Sequence, residues 1–518
     1  MDYKRVLAVW EITGICDMGC KHCGSSYKKA LADELSTEEA LKLCDELAKM
    51  GLERIVISGG EAIQRRDWKL IVNRLKDKGL TVGLLTNAWS LDNEMRVDEI
   101  IGAGVSRFGI SLDGLEETHD FMRKEGSFQK IMRALDLLRE RDKSVVIATT
   151  ITKKNLNELE QMKVLLKEND VKEWQLQLGL PMGNFKSLDS LVIDPAQMKE
   201  VIDFANRVSK EEDNMIVYLG DCFGYYSFQR LEVDKINYKK LYNKDLEENN
   251  FLWRGCAAGR ETFAILPNGD IMGCVTFREK NKEFIEGNIR KRPLKDILED
   301  PDSFKWINKI NKKDLKGLCA KCQYGDECLG GCPNPRVLIE GDVYSENKYC
   351  TYNVDMKEIE GKIDKVDDFE DLYMKGRILF EKGNFQVAEI LLAKALRIDR
   401  NNMEALNLYS QTHFMLKNYS QAIEVSKLIL EKDANNIEAH REIGLSLCKL
   451  KNEEEGIEFL KKSIELTDTD YMAPYHDLAE TLVEYNKIKE AINVLVEGRN
   501  KSEEFKKESQ ELYEQLVG

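Results

Sequence analysis

The stretch CDMGCKHC, residues 16–23, places three cysteines within eight residues in a C-x3-C-x2-C spacing. It follows the apolar run VLAVWEITGI, residues 6–15, so we expect the cysteines to lie on a tight loop directly after a strand. Three thiolates on one loop can hold three irons of a [4Fe–4S] cluster and leave the fourth iron without a protein ligand. A zinc site is the alternative, but the stretch lacks the paired C-x2-C or Cys/His arrangement of common zinc sites.

Length and charge narrow the class of protein. A chain of 518 residues is too long for a single core and predicts about three domains. The net charge of −15 argues against a general nucleic-acid binder, which would carry a basic face. The N-terminal stretch lacks the apolar core of a signal peptide, and no segment approaches the roughly 18 uncharged apolar residues of a membrane span. We therefore expect a cytoplasmic protein without nucleic-acid or membrane partners.

Ten of the thirteen cysteines fall into two groups, residues 16–23 and 256–350. Clustered cysteines in a chain without an export signal are more often metal ligands than disulfides. The other three stand apart. Cys44 and Cys448 lie in helical patterns and are expected to be small buried hydrophobic residues, while Cys222 precedes the second group.

Short β-branched runs alternate with amphipathic stretches between residues 1 and 220. Six runs are predicted strands: VLAVWEIT, ERIVISGG, LTVGLLTN, VSRFGISLDG, SVVIATTIT and WQLQLGL. The stretches between them carry helical periodicity. Alternation of this kind predicts parallel β/α units, here a partial (β/α)6 TIM-type barrel within a multidomain α/β protein. In such barrels the chemistry lies at the C-terminal ends of the strands.

Polar motifs follow the second, third and fourth predicted strands. In SGGE, paired glycines permit close backbone approach and the carboxylate can accept hydrogen bonds from an ammonium group. Hydroxyl, amide and carboxylate groups after the next two strands suit a ribose and a carboxylate, and Arg123 could clamp a carboxylate with two hydrogen bonds. Strand-end capping and turn formation are the alternative for Thr86, Asn87 and Asp113. The candidates are Gly59, Gly60, Glu61, Thr86, Asn87, Ser111, Asp113 and Arg123.

Cys16, Cys20 and Cys23, with the GGE motif after them, resemble the signature of the radical S-adenosylmethionine (SAM) superfamily. The resemblance implies a partial TIM-type barrel and a [4Fe–4S] cluster whose open iron binds SAM. It also implies that the GGE motif holds the amino group of SAM's methionine portion, that Ser111 and Arg123 contact SAM, and that His22 is a loop residue near the adenine. The family motif usually continues with Pro, where this chain has Ala62.

The second group of cysteines follows a predicted bridging region, residues 221–255. Its order is Cys256-x12-Gly-x4-Cys274, then Cys319-x2-Cys322-x5-Cys328-x3-Cys332-x17-Cys350. ILPNGDIMGC predicts a β-hairpin with an Asn-Gly turn. The pattern resembles the SPASM domain, the auxiliary-cluster extension of radical SAM enzymes, here residues 256–355; zinc is again the alternative.

The SPASM resemblance implies two auxiliary clusters of the 4Fe–4S type, and hence three clusters in the chain. The inner cluster would be held by Cys256, Cys274 and Cys332, and the outer cluster by Cys319, Cys322, Cys328 and Cys350. Some relatives supply a fourth inner ligand six residues after the first, where this chain has Thr262. We expect an open inner iron; the alternative is that Cys222 or another side chain completes the site.

The C-terminal segment is predicted to be helical. After a charged linker, residues 356–368, a period of about 34 residues appears between residues 369 and 518, with small residues twelve apart in each repeat. This spacing is typical of tetratricopeptide (TPR) repeats, here four repeats and a final helix forming an all-α superhelix. From Asp367 onward the chain has 20 basic and 30 acidic residues, a net of −10. The charge favours a basic partner, or it is simply a solvated surface.

The combined resemblance implies an enzyme that cleaves SAM to a 5′-deoxyadenosyl radical and abstracts hydrogen from a ribosomally made peptide. The modification would be a cross-link, an excision or an oxidation, and an external reductant such as flavodoxin or ferredoxin would supply electrons. Because the first strand begins almost at Met1, we expect the TPR repeats to replace the N-terminal leader-binding domain of some relatives. The alternatives are an anaerobic sulfatase-type maturase, a small-molecule-modifying SPASM enzyme and a non-catalytic cluster scaffold.

Overall fold

The computed structural model describes residues 6–211, 215–224, 228–244, 256–280, 283–363, 365–467 and 471–517. The chain divides into two compact units, Met1–Asp355 and Met356–Gly518. Much of the predicted bridging region, at 225–227 and 245–255, lies outside the described residues. The finer domain boundaries at 220, 255 and 368 stay predictions.

The first unit is built on one sheet with the strand order β10-β9-β8-β1-β2-β3-β4-β5-β6-β7. Strands β1 to β7 are parallel to their neighbours in chain order, as βα crossovers require. The strands are β1 Leu7–Thr13, β2 Arg54–Gly59, β3 Thr81–Thr86, β4 Val105–Ser111, β5 Val145–Ile151, β6 Glu173–Leu178, β7 Ile216–Leu219, β8 Thr262–Ile265, β9 Asp270–Met272 and β10 Ile285–Asn288.

Amphipathic helices alternate with these strands and bury their apolar faces. Ser36 and Glu39 form a capping box at the start of the first helix, which then buries Ala40, Leu43 and Leu47 at helical spacing. The helices are α1 Thr37–Lys49, α2 Trp68–Asp77, α3 Glu94–Ala103, α4 Glu116–Met122, α5 Ser127–Arg139, α6 Leu159–Glu168, α7 Met198–Ser209 and α8 Phe228–Tyr242.

The structure confirms the six predicted strands and the parallel α/β barrel, and adds a seventh parallel strand, β7. This strand is the four-residue run IVYL, too short for periodicity to separate a strand from a helical turn. It pairs with β6 through residues 216–219 and extends the sheet by one strand beyond the prediction.

The predicted hairpin is also confirmed: β8 and β9 are antiparallel, and Gly269 between them has a φ of +85°. The hairpin belongs to the barrel sheet, because β8 pairs in parallel with β1, from Leu7 opposite Thr262 to Trp10 opposite Ile265. Short helices follow, α9 Leu294–Glu299, α10 Lys305–Asn308, α11 Gly317–Lys321, α12 Gly325–Cys328, α13 Pro333–Glu340 and α14 Thr351–Ile363. The SPASM cysteines are therefore anchored to the barrel through its first strand.

The second unit consists of successive antiparallel helix pairs, as the 34-residue period predicts. The pairs are α15 Phe369–Glu381 with α16 Phe385–Ile398, α17 Met403–Met415 with α18 Tyr419–Lys432, α19 Ile437–Lys449 with α20 Glu453–Leu466, and α21 Ala473–Glu484 with α22 Ile488–Lys501. Small residues mark the closest approach within pairs: a Cβ at Gly444 would lie 2.9 Å from the carbonyl oxygen of Gly456. The predicted final helix is two helices, α23 Glu503–Glu508 and α24 Gln510–Val517, which meet at the buried Ser509.

Candidate functional site

The candidate site lies at one edge of the barrel sheet, where the parallel strands end. The cysteine loop follows β1, the GGE motif follows β2, Thr86 ends β3 and Ser111 ends β4. Two further segments reach the same edge: Met182–Asn184 after β6 and the Cys222 segment after β7. The sequence analysis placed its candidate residues in the first four of these segments.

The two glycines of the GGE motif lie directly against the cysteine loop. The Gly60 N–H donates to the Thr13 carbonyl oxygen at 2.7 Å, and the Glu61 N–H donates to that of Ile15 at 2.6 Å. A Cβ at Gly60 would overlap the Ile15 carbonyl, and Gly59 has a φ of +138°. The glycines therefore permit a close approach to the protein's own cysteine loop, in addition to the approach to a ligand that the sequence suggested.

Glu61 follows β2, and its buried carboxylate lies against the end of β3. Its carboxylate accepts hydrogen bonds from the Thr86 hydroxyl at 2.9 Å and from the Asn87 N–H at 2.8 Å. Burial raises the pKa of Glu61 to about 7, and these two donors act in the opposite direction. A carboxylate has about four lone-pair positions, so two remain for another donor.

Asn87 connects the end of β3 to the cysteine loop. Its side-chain amide donates to Asp17 Oδ1 at 2.9 Å and lies 3.9 Å from Cys16 Sγ, while its oxygen accepts from the Trp89 N–H. Asp17 also accepts from Gln64 Nε2 at 2.9 Å. Asp17 was not singled out from the sequence, although it lies inside the cysteine motif. Thr86 and Asn87 thus both make turn hydrogen bonds of the kind that their alternative interpretation expects, and their contact with SAM stays a prediction.

A buried ionic group joins Asp113, Arg123 and His22 on the other side of the loop. Asp113 Oδ2 accepts from Arg123 Nε at 2.5 Å and lies 2.9 Å from His22 Nε2. Burial would raise the pKa of Asp113, but Arg123 and His22 outweigh it and hold that pKa well below its usual range. Arg123 Nη1 is also 3.8 Å from Cys20 Sγ. Its guanidinium therefore lies between a carboxylate and a cysteine of the loop.

Asn184 clamps the cysteine loop from the β6 side. Its side-chain amide donates to the Cys20 carbonyl oxygen at 2.9 Å, and its N–H donates to that of Cys23 at 3.0 Å. The sequence analysis gave Asn184 no role. Ser111 ends β4, partly exposed at the same edge. The assignments of Ser111 and of the other candidates as SAM contacts stay predictions.

The second group of cysteines is mostly buried and is supplied with amide donors. The Asn347 N–H and the Asn353 side-chain amide each lie 3.4 Å from Cys319 Sγ. Cys274 Sγ is 3.1 Å from the Thr276 hydroxyl, which donates to Asn334 Oδ1. Amide and hydroxyl groups around cysteine sulfurs are usual at iron–sulfur sites, where they tune the cluster.

Arg336 is a fully buried cation among these cysteines. It donates to the carbonyl oxygens of Leu329, Gly331 and Val343. Burial lowers its pKa, whereas cysteines of both predicted clusters act in the opposite direction: Cys319, Cys332, Cys328 and Cys256. The guanidinium therefore lies within electrostatic range of both cysteine sets.

Cys222 also reaches the second group. Its Sγ lies 3.6 Å from Cys332 Sγ, and burial together with the nearby Cys222 thiol raises the pKa of Cys274. The bridging region contributes Cys222 through β7, which the sequence analysis did not recognise as a strand.

The donor sets fit iron–sulfur clusters. All thirteen cysteines are free thiols. Burial raises the pKa values of Cys16, Cys322 and Cys350 to about 12, so thiolates there need a strong positive partner, which iron ions supply. Cys16, Cys20 and Cys23 would hold the first cluster, and the cysteines between 256 and 350 the auxiliary clusters.

Comparisons with known proteins agree with this arrangement. The model of the radical SAM superfamily matches residues 10–166, that of the SPASM iron–sulfur cluster-binding domain residues 256–323, and that of anaphase-promoting complex, cyclosome, subunit 3, a TPR-like match, residues 381–463. Within the described residues, no helix has the length and apolar character needed to cross a membrane.

Two curated relatives and one solved structure illustrate the similarity. The AdoMet-dependent heme synthase of Methanosarcina barkeri is 30% identical over 67% of this chain and 96% of that protein. The mycofactocin maturase MftC of Mycolicibacterium smegmatis is 27% identical over 63% and 78%. Streptococcus suis SuiB bound to precursor peptide SuiA has a similar fold, with a TM-score of 0.54 and 17% identity over 67% and 75%. The chain therefore belongs to the radical SAM superfamily, as an enzyme with a SPASM domain and a TPR-like C-terminal unit.

Proposed function

We propose that this enzyme cleaves SAM to a 5′-deoxyadenosyl radical and abstracts hydrogen from a ribosomally made peptide, installing a cross-link, an excision or an oxidation. The observation that carries the proposal is the combination, in one chain, of a buried SPASM cysteine set and a TPR-like array. TPR arrays usually bind peptides or proteins in the surface formed by their stacked helices.

In this proposal the barrel edge holds SAM and the first cluster in fixed positions. Asn87 after β3, Arg123 at the end of α4 and Asn184 after β6 contact the cysteine loop. Glu61 retains acceptor positions for the amino group of SAM, and Ser111 lies at the same edge. When bound to Cys16, Cys20 and Cys23, the cluster would supply the electron for SAM cleavage.

The TPR-like unit offers an acidic surface for the peptide. The first helices of successive repeats are joined through carboxylates: Tyr373 donates to Glu404, Gln411 donates to Glu438, and Arg441 pairs with Asp477. With a net charge of −10 from Asp367 onward, this unit favours a substrate with basic residues near its recognition segment.

A second candidate substrate is a tetrapyrrole. It is favoured by the relative with 30% identity, a heme synthase whose length this chain covers to 96%. The TPR-like unit would then serve only to assemble the enzyme with other proteins. A sulfatase-type maturase is less favoured, because relatives of that kind have an Asp base where Val275 follows Cys274.

The test uses the iron-loaded full chain, SAM and a reductant, with either a candidate peptide encoded beside the enzyme or a set of tetrapyrrole heme precursors. Mass spectrometry should show a mass change of the peptide that depends on SAM. Turnover of a tetrapyrrole without any change in the peptide would support the second candidate instead. Removing residues 366–518 should weaken peptide binding; unchanged binding and turnover would contradict the role of the TPR-like unit.

The proposal includes a flavodoxin or ferredoxin as reductant and a cytoplasmic location. The location is supported by the free thiols, which persist in reducing compartments, and the reductant by the electron that SAM cleavage consumes.

A further inference from the structure

The segment after β7 lies directly on the auxiliary-cluster cysteines. Cys222 Sγ is 3.6 Å from Cys332 Sγ, although the two residues are 110 positions apart. Two residues further on, a Cβ at Gly224 would lie 3.2 Å from both Cα and Sγ of Cys350. The segment therefore contacts one cysteine of each predicted auxiliary set.

This contact is fixed by the barrel. The Gly220 N–H donates to the Leu176 carbonyl oxygen at 2.8 Å, which continues the β6–β7 pairing to the start of the segment. Phe223 is fully buried, and its N–H donates to the Gly220 carbonyl oxygen. Gly224 has a φ of +79°, a backbone conformation that favours glycine. Cys222 is thus held between two anchored neighbours.

The chemistry of the contact fits a metal centre. The 3.6 Å separation is far longer than the roughly 2.05 Å of a disulfide bond. The two sulfurs are therefore not bonded to each other, and in a cluster of the 4Fe–4S type each would bind a different iron. Thr262, at the position where some relatives have a fourth cysteine, is instead the first residue of β8.

We propose that Cys222 is the fourth protein ligand of the inner auxiliary centre, together with Cys256, Cys274 and Cys332. The centre is then closed by protein, in place of the open iron that the sequence favoured. The inference rests on the auxiliary centre of the proposed function and is independent of the substrate.

Alkylation of the wild-type full chain tests this directly. Iron-loaded and iron-free protein are treated with iodoacetamide under anaerobic conditions, and each cysteine is followed by mass spectrometry. Cys222 should be protected by iron together with Cys256, Cys274 and Cys332, and become reactive with them when iron is removed. Alkylation of Cys222 in iron-loaded protein that protects the other three would overturn the inference alone. Alkylation of all four cysteines in iron-loaded protein would also contradict the existence of the inner auxiliary centre.

A variant gives a second, spectroscopic test. In the full chain with Cys16, Cys20 and Cys23 replaced by Ala, Cys222→Ala should create an exchangeable iron, so that added cyanide shifts the EPR spectrum of the reduced auxiliary centres. The matched control is Cys44→Ala, because Cys44 is a buried thiol whose sulfur approaches the Ile71 carbonyl oxygen in the barrel. The parent and the control should not respond to cyanide. A cyanide response of the parent, or a Cys222→Ala spectrum identical to that of the parent with and without cyanide, would contradict the proposal.

Discussion

The two cysteine groups of this enzyme are built in opposite ways. The first occupies eight consecutive residues and is held from outside, by side chains that follow β3, α4 and β6. The second spans residues 256–350, is mostly buried, and draws its supporting groups largely from its own segment, with Cys222 added from the barrel. A loop held from outside leaves one side free for a ligand, whereas a mostly buried set would enclose its metal.

The difference predicts, as its largest effect, that the two groups bind iron independently. Replacing Cys16, Cys20 and Cys23 by Ala should remove roughly one third of the iron if, as we propose, the chain holds three clusters of equal size. Replacing Cys319, Cys322 and Cys328 should instead spare the first cluster and its SAM-cleaving activity. Iron and sulfide analysis with Mössbauer spectroscopy measures both. Loss of all iron from either variant would show that the two groups form one cooperative unit.

A substitution at Gly60 tests whether the first cysteine loop depends on contacts from outside it. Gly60→Ala should displace the Ile15 carbonyl and abolish iron binding by the first loop, because the added Cβ has no room. The auxiliary centres should keep their iron. The matched control is Gly102→Ala in α3, where a Cβ meets no atom within 4 Å. The control should gain about 0.5–1 kcal/mol of stability from the helix position. Normal loading of the first cluster in Gly60→Ala would contradict the outside-held model.

The ionic group beside the loop gives a smaller effect. Asp113→Asn leaves the buried Arg123 charge without its carboxylate, and breaking a buried pair costs about 3–5 kcal/mol. Thermal unfolding of the iron-free chain should show a lower midpoint. Asp98→Asn, which breaks the exposed pair with Arg141, should leave the midpoint nearly unchanged. Equal effects of the two substitutions would show that the buried group does not support the loop.

Glu61 should make the stability of the first unit depend on pH. Burial raises its pKa from 4.5 to about 7, so the folded chain keeps a proton that the unfolded chain loses. This contribution is complete below pH 4.5 and is lost as the pH rises to about 7, by at most about 1.4 kcal/mol per pH unit. Thermal unfolding of the iron-free chain between pH 5 and 8 should therefore show a steeper decline for wild type than for Glu61→Gln. The same pH dependence of the unfolding midpoint in wild type and Glu61→Gln would contradict the raised pKa of Glu61.

The smallest effect concerns the donors inside the second group. Asn353→Ala removes an N–H donor to Cys319 Sγ and should lower the reduction potential of the outer auxiliary centre, on the order of tens of millivolts. Asn169→Ala, in a helix-end hydrogen bond to Leu165, is the control. Redox titration followed by EPR measures both variants. An unchanged potential in Asn353→Ala would mean that the amide does not act on the cluster.

The same contrast explains what the sequence could predict. The C-x3-C-x2-C loop, the β/α alternation, the Asn-Gly hairpin and the 34-residue period are local patterns, and the structure confirms the elements they predict. Asn184 and Cys222 act through contacts that only the assembled sheet creates, and no local pattern marks them. The strand that carries Cys222 to the site has four residues, too few for a periodic signal.

The most direct test of the central claim is formation of 5′-deoxyadenosine by the iron-loaded full chain with SAM and a reductant, measured by liquid chromatography and mass spectrometry. The account predicts reductant-dependent formation by wild type and none when Cys16, Cys20 and Cys23 are replaced by Ala. No product from fully loaded wild type, or equal product from the triple variant, would contradict it.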